Sequence, residues 1–367
     1  MKDLPLELRG LAALVQSARA PEDLFGDLGS AEVERARNLA IVYRRIAAVL
    51  HPDRHAEPQD KSMAHEAFVV ATVLREQAER KIRAGTYGDG GPEPPAPTVV
   101  KTRQGTYTLL RLFARGDLCD LHECTTSAGE RALFKIVRSS ADNDLATREA
   151  EALGPLFPRG AAEEKFLRYL PRLVESFVVR GDSGSERRVN VVSLFSEHVS
   201  LTEVSAAYPD GLDFADVVWM LKRLLAALGW VHRQGLVHGA ILPPHVLVHP
   251  IDHGARIVDW CYSREIGAPL RAAVKAHRSW YAPELLDKKP ATPQADIHMA
   301  ARCALALLDP KRVPRPLERF LATCVVDNPS RRPDDAWALH EELDHLLRRL
   351  VGRPKYRPLT IATSKCS

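Results

Sequence analysis

The sequence predicts an α+β protein in two modules: an all-helical N-terminal part, a tether, and a larger part whose strands precede its helices. Three observations carry this. Residues 85–98, "GTYGDGGPEPPAPT", are rich in Gly and Pro, a composition that suits a tether better than a helix or a sheet. The pattern before it is helical. After it, "YTLLRLF", "RALFKIV" and "RVNVVSLF" read as short strands, and helical periods take over from about residue 213. The expected boundaries are a helical module over 1–84, a linker over 85–104, an α+β domain over 105–352 and a tail over 353–367. No internal repeat is visible.

Composition sets the class. Hydrophobic residues make up 45% of the 367 and charged residues 27%, the balance of a globular chain long enough for two domains. The formal net charge of +4 is mild, so nucleic acid is not indicated. No apolar run approaches the ~20 residues that span a bilayer, so no membrane partner is expected. "MKDLPLELRG" lacks the basic and apolar regions of a secretion signal. Six Cys are scattered without CxxC spacing, Cys119 and Cys124 being nearest. They read as reduced thiols, and the expected location is cytoplasmic.

The helical module centres on residues 30–50, "SAEVERARNLAIVYRRIAAVL". Ser30 is the expected N-cap, with Glu32 and Glu34 in the first turn. Ala36, Ala40, Tyr43, Ala47 and Leu50 recur at helical spacing and are expected to form the buried stripe. Arg37, Arg44 and Arg45 lie off that stripe as a basic face. Pro52 in "HPDR" ends the helix, because it removes a donor and disfavours helix at His51. A second helix follows at roughly 58–83.

A basic amphipathic helix, His-Pro-Asp and a further helix resemble a J-domain, the module that stimulates ATP hydrolysis by the seventy-kilodalton heat-shock (Hsp70-type) chaperones. "VATVL" at 70–74 and "RAGTYGDGG" after it resemble other parts of that pattern. The first helix is weak, and an aromatic usual early in the third helix is missing from its place. The resemblance implies that His51, Pro52, Asp53, Arg44 and Arg45 bind an Hsp70-type chaperone. Without it, the segment is a helical hairpin with a turn at 51–53.

The larger part carries an ordered series of motifs. Lys135 stands in the apolar strand "ALFKIV", where an unpaired Lys is costly to bury. Glu149 follows fourteen residues later in a helical stretch. Read alone, Lys135 is a snorkelling surface lysine. "VHGAILPPHVLV" at 237–248 comes next, then Asp259 after an apolar strand, Ala-Pro-Glu at 282–284, Asp296 in "ADIHMAARCALALL" and Arg332 in "DNPSRRPDDAW". This order across 105–350 resembles the protein-kinase-like fold, bilobal with a β-rich first lobe and a helical second lobe.

The resemblance implies roles. Lys135 would contact nucleotide phosphates, Glu149 would orient it, and Asp259 would hold Mg²⁺. His238 and Asp296 would brace the catalytic loop, and Glu284 would pair with Arg332. The departures fall on the chemistry. Ala240 stands where the proton-accepting Asp belongs, His245 where the second metal ligand belongs, and Gly239 where an Arg is usual. Trp260 and Cys261 follow Asp259 in place of Phe and Gly. In the loop "ARGDLCDLHEC", 114–124, Gly116 is the only matching glycine, beside Asp117 and Asp120. The segment from Glu284 to Arg332 is short for the family. These losses imply a pseudokinase with at most weak ATP–Mg²⁺ binding. Three function classes follow. One is a non-catalytic adaptor or co-chaperone with an unidentified partner or client. Another is an unorthodox enzyme using Asp252, Asp259, Glu265 or His245. The last is a scaffold with a vestigial J-like module.

Overall fold

The computed structural model describes residues 7–18, 20–51, 54–55, 57–88, 98–156, 164–181, 184–195, 197–251, 254–352 and 358–361. The chain separates into two compact units, 1–111 with 124–131, and 112–123 with 132–367. Pro52, Asp53, Asp252 and residues 89–97 of the expected linker lie outside the described residues, as do 353–357 and 362–367 of the tail.

In the smaller unit, helices α1 (Leu8–Ser17), α2 (Pro21–Phe25), α3 (Glu32–Leu50) and α4 (Pro58–Arg83) enclose one core. Leu11, Val15, Leu24, Phe25 and Leu28 meet Ala67, Ala71, Leu74 and Ala78 there. The buried stripe of α3 is Leu39, Val42, Ile46 and Leu50. This corrects the expected register: Ala36 and Ala40 are exposed and Tyr43 is half-buried. Burial follows the larger apolar side chains, because a methyl group removes too little surface from water to orient a helix. Ser30 is not the N-cap either. Ala31 occupies that position without a side-chain cap, and the Glu34 carboxylate accepts from the Ser30 N–H instead. Tyr87 is buried and donates to Gly26 O at 2.7 Å, so the closing turn belongs to this unit rather than to a free tether. Strand β1 (Val99–Lys101), inside the expected linker, pairs antiparallel with the start of β2 (Thr106–Arg115).

In the larger unit the end of β2 turns at 116–118 into β3 (Cys119–Thr126). Strand β4 (Arg131–Val137), helices α5 (Asn143–Leu153) and α6 (Glu164–Leu167), and strands β5 (Leu173–Arg180) and β6 (Glu186–Ser193) follow. β4 and β5 both pair antiparallel with β6, with Lys135 and Ser176 opposite Asn190. Helices dominate the remainder. β7 (Val199–Ser200) leads into α7 (Leu201–Ala207), which opens with a capping box of Ser200 and Glu203, and α8 (Phe214–Arg233) follows. The short strands β8 (Leu236–Val237), β9 (Val246–Val248), β10 (Ala255–Ile257) and β11 (Arg264–Glu265) carry the candidate site on the turns between them. α9 (Pro283–Leu286), α10 (Pro293–Leu307), α11 (Arg315–Cys324) and α12 (Ala336–Val351) complete the helical part. Its core runs through α8 and α10, both lined with Leu, Met and Ala. Part of the expected tail packs back: Leu359 is buried and its N–H donates to Pro250 O at 2.9 Å. No helix among the described residues is long and apolar enough to cross a membrane.

Two buried polar groups hold the helical part together. Arg332 grips the Glu284 carboxylate with both terminal nitrogens, at 2.6 and 2.8 Å, and also donates to Val326 O and Asp327 O. The planar guanidinium fork matches a carboxylate, so the pair is directional as well as charged. Removing one partner strands a buried charge, at a cost of roughly 3–5 kcal/mol. Arg332→Ala is therefore expected to lower the melting temperature of the larger unit by roughly ten degrees. Scanning calorimetry checks this, and an unshifted transition would refute the structural role.

Candidate functional site

The strand-and-helix portion and the helical portion of the larger unit border a cavity of about 500 Å³. One side is apolar, lined by Leu121, Leu133, Val192, Phe195, Leu247 and Val258. The other end is charged, and Lys135 is its centre. Its ammonium donates to Glu149 Oε1 at 2.6 Å and to Asp259 Oδ1 at 2.7 Å. The strand places Lys135 inward with 5% exposure, so it does not snorkel to water. Helix α5 faces Glu149 toward it, and Asn190 on β6 donates to Glu149 Oε2 at 2.9 Å. Asp259 reaches the lysine from a left-handed backbone conformation, φ 63°, which Asp tolerates better than most residues. Burial favours the uncharged form of each group. The opposite charges win: Asp259 and Glu149 hold the Lys135 ammonium well above its usual range. Lys135 holds the Asp259 carboxyl well below its own.

The loop of residues 237–248 is fixed by Asp296. Its carboxylate accepts from the His238 and Gly239 N–H groups, both at 2.8 Å, and from His232 Nε2 at 3.0 Å. His238 is fully buried and bonds Val258 O through Nε2, while its ring meets the edge of Trp260 at 4.8 Å. Trp260 in turn donates to Ile257 O, which seats the bulky indole in the core. Gly239 has φ 74°, and an added Cβ would stand 2.6 Å from Leu270 and 3.0 Å from Tyr262 O. Position 239 thus requires glycine in this backbone. The sequence alone shows a missing Arg; it does not show that a side chain has no room.

Ala240, the position of the expected catalytic carboxylate, is fully buried. His245 is 3% exposed and its Nδ1–H donates to Ala240 O at 2.9 Å. Its Nε2 lies 3.5 Å from Asp259 Oδ2. Asp117 belongs to the same cluster, although nothing in the local sequence pattern links it to His245 or Asp259. It accepts hydrogen bonds from the Leu118 N–H and the Tyr262 hydroxyl. Glu265, a possible stand-in base, lies apart and pairs with Arg148 at 2.6 Å. Gly116 forms the hairpin turn, and its N–H donates to Cys119 O at 2.9 Å.

Three features of this end of the cavity oppose a magnesium triphosphate. The Gly116 and Leu118 N–H groups, which would face the phosphates, are spent inside the loop. Lys135 is already shared by two carboxylates. The Asp117 carboxylate lines the cavity and would oppose any phosphate placed there. The five described cysteines are free. Burial pushes the Cys119 thiol up to about 12, so this thiol is a poor nucleophile or ligand.

No family model matches this chain. Among curated proteins, casein kinase II subunit alpha' of Saccharomyces cerevisiae is 25% identical over 120 residues. The match covers 32% of this chain and about a third of the relative's length. This partial likeness suggests a protein-kinase-like fold, and the mixed architecture of antiparallel sheet and helices is compatible with it.

Two measurements probe the site. Lys135→Ala leaves Glu149 and Asp259 facing each other without a cation, so a loss of roughly 3–5 kcal/mol is expected with no nucleotide present. A wild-type melting curve in Lys135→Ala would count against the network. The second concerns acid. Burial pushes His238 down to about 4 against the pull of Asp296. Burial also pushes His298, which faces Arg332 and Arg302, down to about 4. Unfolded histidine titrates near 6.5, so the unfolded chain takes up more protons between pH ~6.5 and ~4. Stability is therefore complete above about 6.5 and declines toward 4, by on the order of 3 kcal/mol per histidine. Melting temperatures between pH 7 and 4.5 should fall, and more shallowly in His298→Gln. Equal slopes would remove His298 from the account.

Proposed function

We propose that this chain is a non-catalytic adaptor or co-chaperone: its helical module engages an Hsp70-type chaperone, and its kinase-like unit binds a protein partner or client. The observation that carries the non-catalytic half is the methyl group of Ala240, fully buried where phosphoryl transfer needs a proton-accepting carboxylate. Among the described residues, Asp259 substitutes only at a cost, because it is engaged by Lys135. The likeness to a kinase subunit supports a shared fold, not a shared activity.

The helical module supports the chaperone half by its surface. Arg44, Arg45 and His51 are exposed at the C-terminal end of α3, whose buried face is Leu39, Val42, Ile46 and Leu50. The His51 ring packs 6.1 Å from that of Phe68 on α4. This is a surface that an acidic patch of a chaperone would recognise. A second reading, group transfer from a nucleotide, draws on the cavity of about 500 Å³ that keeps Lys135, Glu149 and Asp259. Incubation with γ-labelled ATP and the chain's own binding partners separates the two, since transferred label would support the enzyme reading.

On the adaptor reading, wild type stimulates the ATPase of an Hsp70-type chaperone and His51→Gln does not, with unchanged circular dichroism. Arg44→Glu with Arg45→Glu weakens stimulation most at low salt, where exposed charges are least screened. Absence of stimulation by the wild type would leave the kinase-like unit as a scaffold with a vestigial helical module.

A further inference from the structure

The cluster of Asp117, His245 and Asp259 is unlike a phosphate site in its chemistry. Each residue offers one ligand atom, and the three atoms lie within 4.8 Å of one another. His245 Nδ1–H is committed to Ala240 O, so in the neutral ring Nε2 presents its lone pair to Asp259 Oδ2 at 3.5 Å. That separation is long for a hydrogen bond. Two electron-rich atoms are thus held apart behind a ring that is 3% exposed. Ligand atoms ~2.05 Å from a shared tetrahedral ion stand about 3.4 Å apart.

We propose that Asp117, His245 and Asp259 form a nucleotide-independent site for one divalent transition-metal ion of the zinc class. Each donor is steered by a second group, as metal ligands are. Ala240 O holds the His245 ring, Lys135 holds the outer oxygen of Asp259, and the Leu118 N–H and Tyr262 hydroxyl hold Asp117. One imidazole with two carboxylates suits Zn²⁺ or Co²⁺. It suits Mg²⁺ poorly, since Mg²⁺ demands near-octahedral oxygen. The charge also calls for a cation. Asp117 and Asp259 bring two carboxylates to the cluster, and Lys135 occupies one oxygen of Asp259. Three protein donors leave one position open toward the cavity, for water.

The inference does not depend on chaperone binding, and the two are read in separate assays. The test uses the full chain, stripped with a chelator and free of nucleotide. Co²⁺ titration should give the visible d–d bands of a low-coordinate site at one equivalent. Zn²⁺ should raise the melting temperature while Mg²⁺ at the same concentration does not. Asp117→Asn and His245→Ala should each weaken Co²⁺ binding at least tenfold. Asp117 is exposed, so its variant folds whether or not His245→Ala does. Absence of Co²⁺ bands, an equal response to Mg²⁺, or undiminished binding in Asp117→Asn would overturn the proposal.

Discussion

Lys135 is held between two carboxylates that come from different parts of the chain, Glu149 on α5 and Asp259 after β10, 14 and 124 residues away. The larger unit is arranged around this contact. A lysine with 5% exposure is tolerable only while both acids stay ionised and close. That condition fixes the depth of α5 against β4 and the position of the segment that begins at Asp259. The same contact consumes the groups that a nucleotide would need. A network that stabilises the fold and one that binds phosphate draw on the same charges, and here the fold has them.

Asp296 plays the corresponding part beneath the loop of residues 237–248. By accepting two backbone N–H groups and His232, it satisfies donors that burial would otherwise strand. Within this loop, positions 240 and 245 hold a methyl group and an imidazole. Shape and chemistry separate because different residues set them: Asp296, His238 and Gly239 determine the path, and residues 240 and 245 determine what it presents. Asp117 and Tyr262 close the cluster from the hairpin at 116–118 and from the turn after β10.

The sequence alone determined the order of helices, strands and helices, because hydrophobic periodicity and the Gly/Pro-rich stretch are local properties. It also placed Ala at 240, which has no proton acceptor in any fold. The residues later seen paired, Lys135 with Glu149 and Glu284 with Arg332, were legible as a series because their order along the chain is itself a pattern. Tertiary structure decided the rest. The buried face of α3 shifted to Leu39, Val42 and Ile46, because surrounding helices reward volume rather than spacing alone. Glycine at 239 proved to be demanded by a positive φ and by Leu270, a neighbour 31 positions away. Asp117 joined His245 and Asp259 only through a hairpin and two turns that no local pattern connects. Spacing in sequence reports which face of an element a residue occupies; which distant face it meets is fixed by packing.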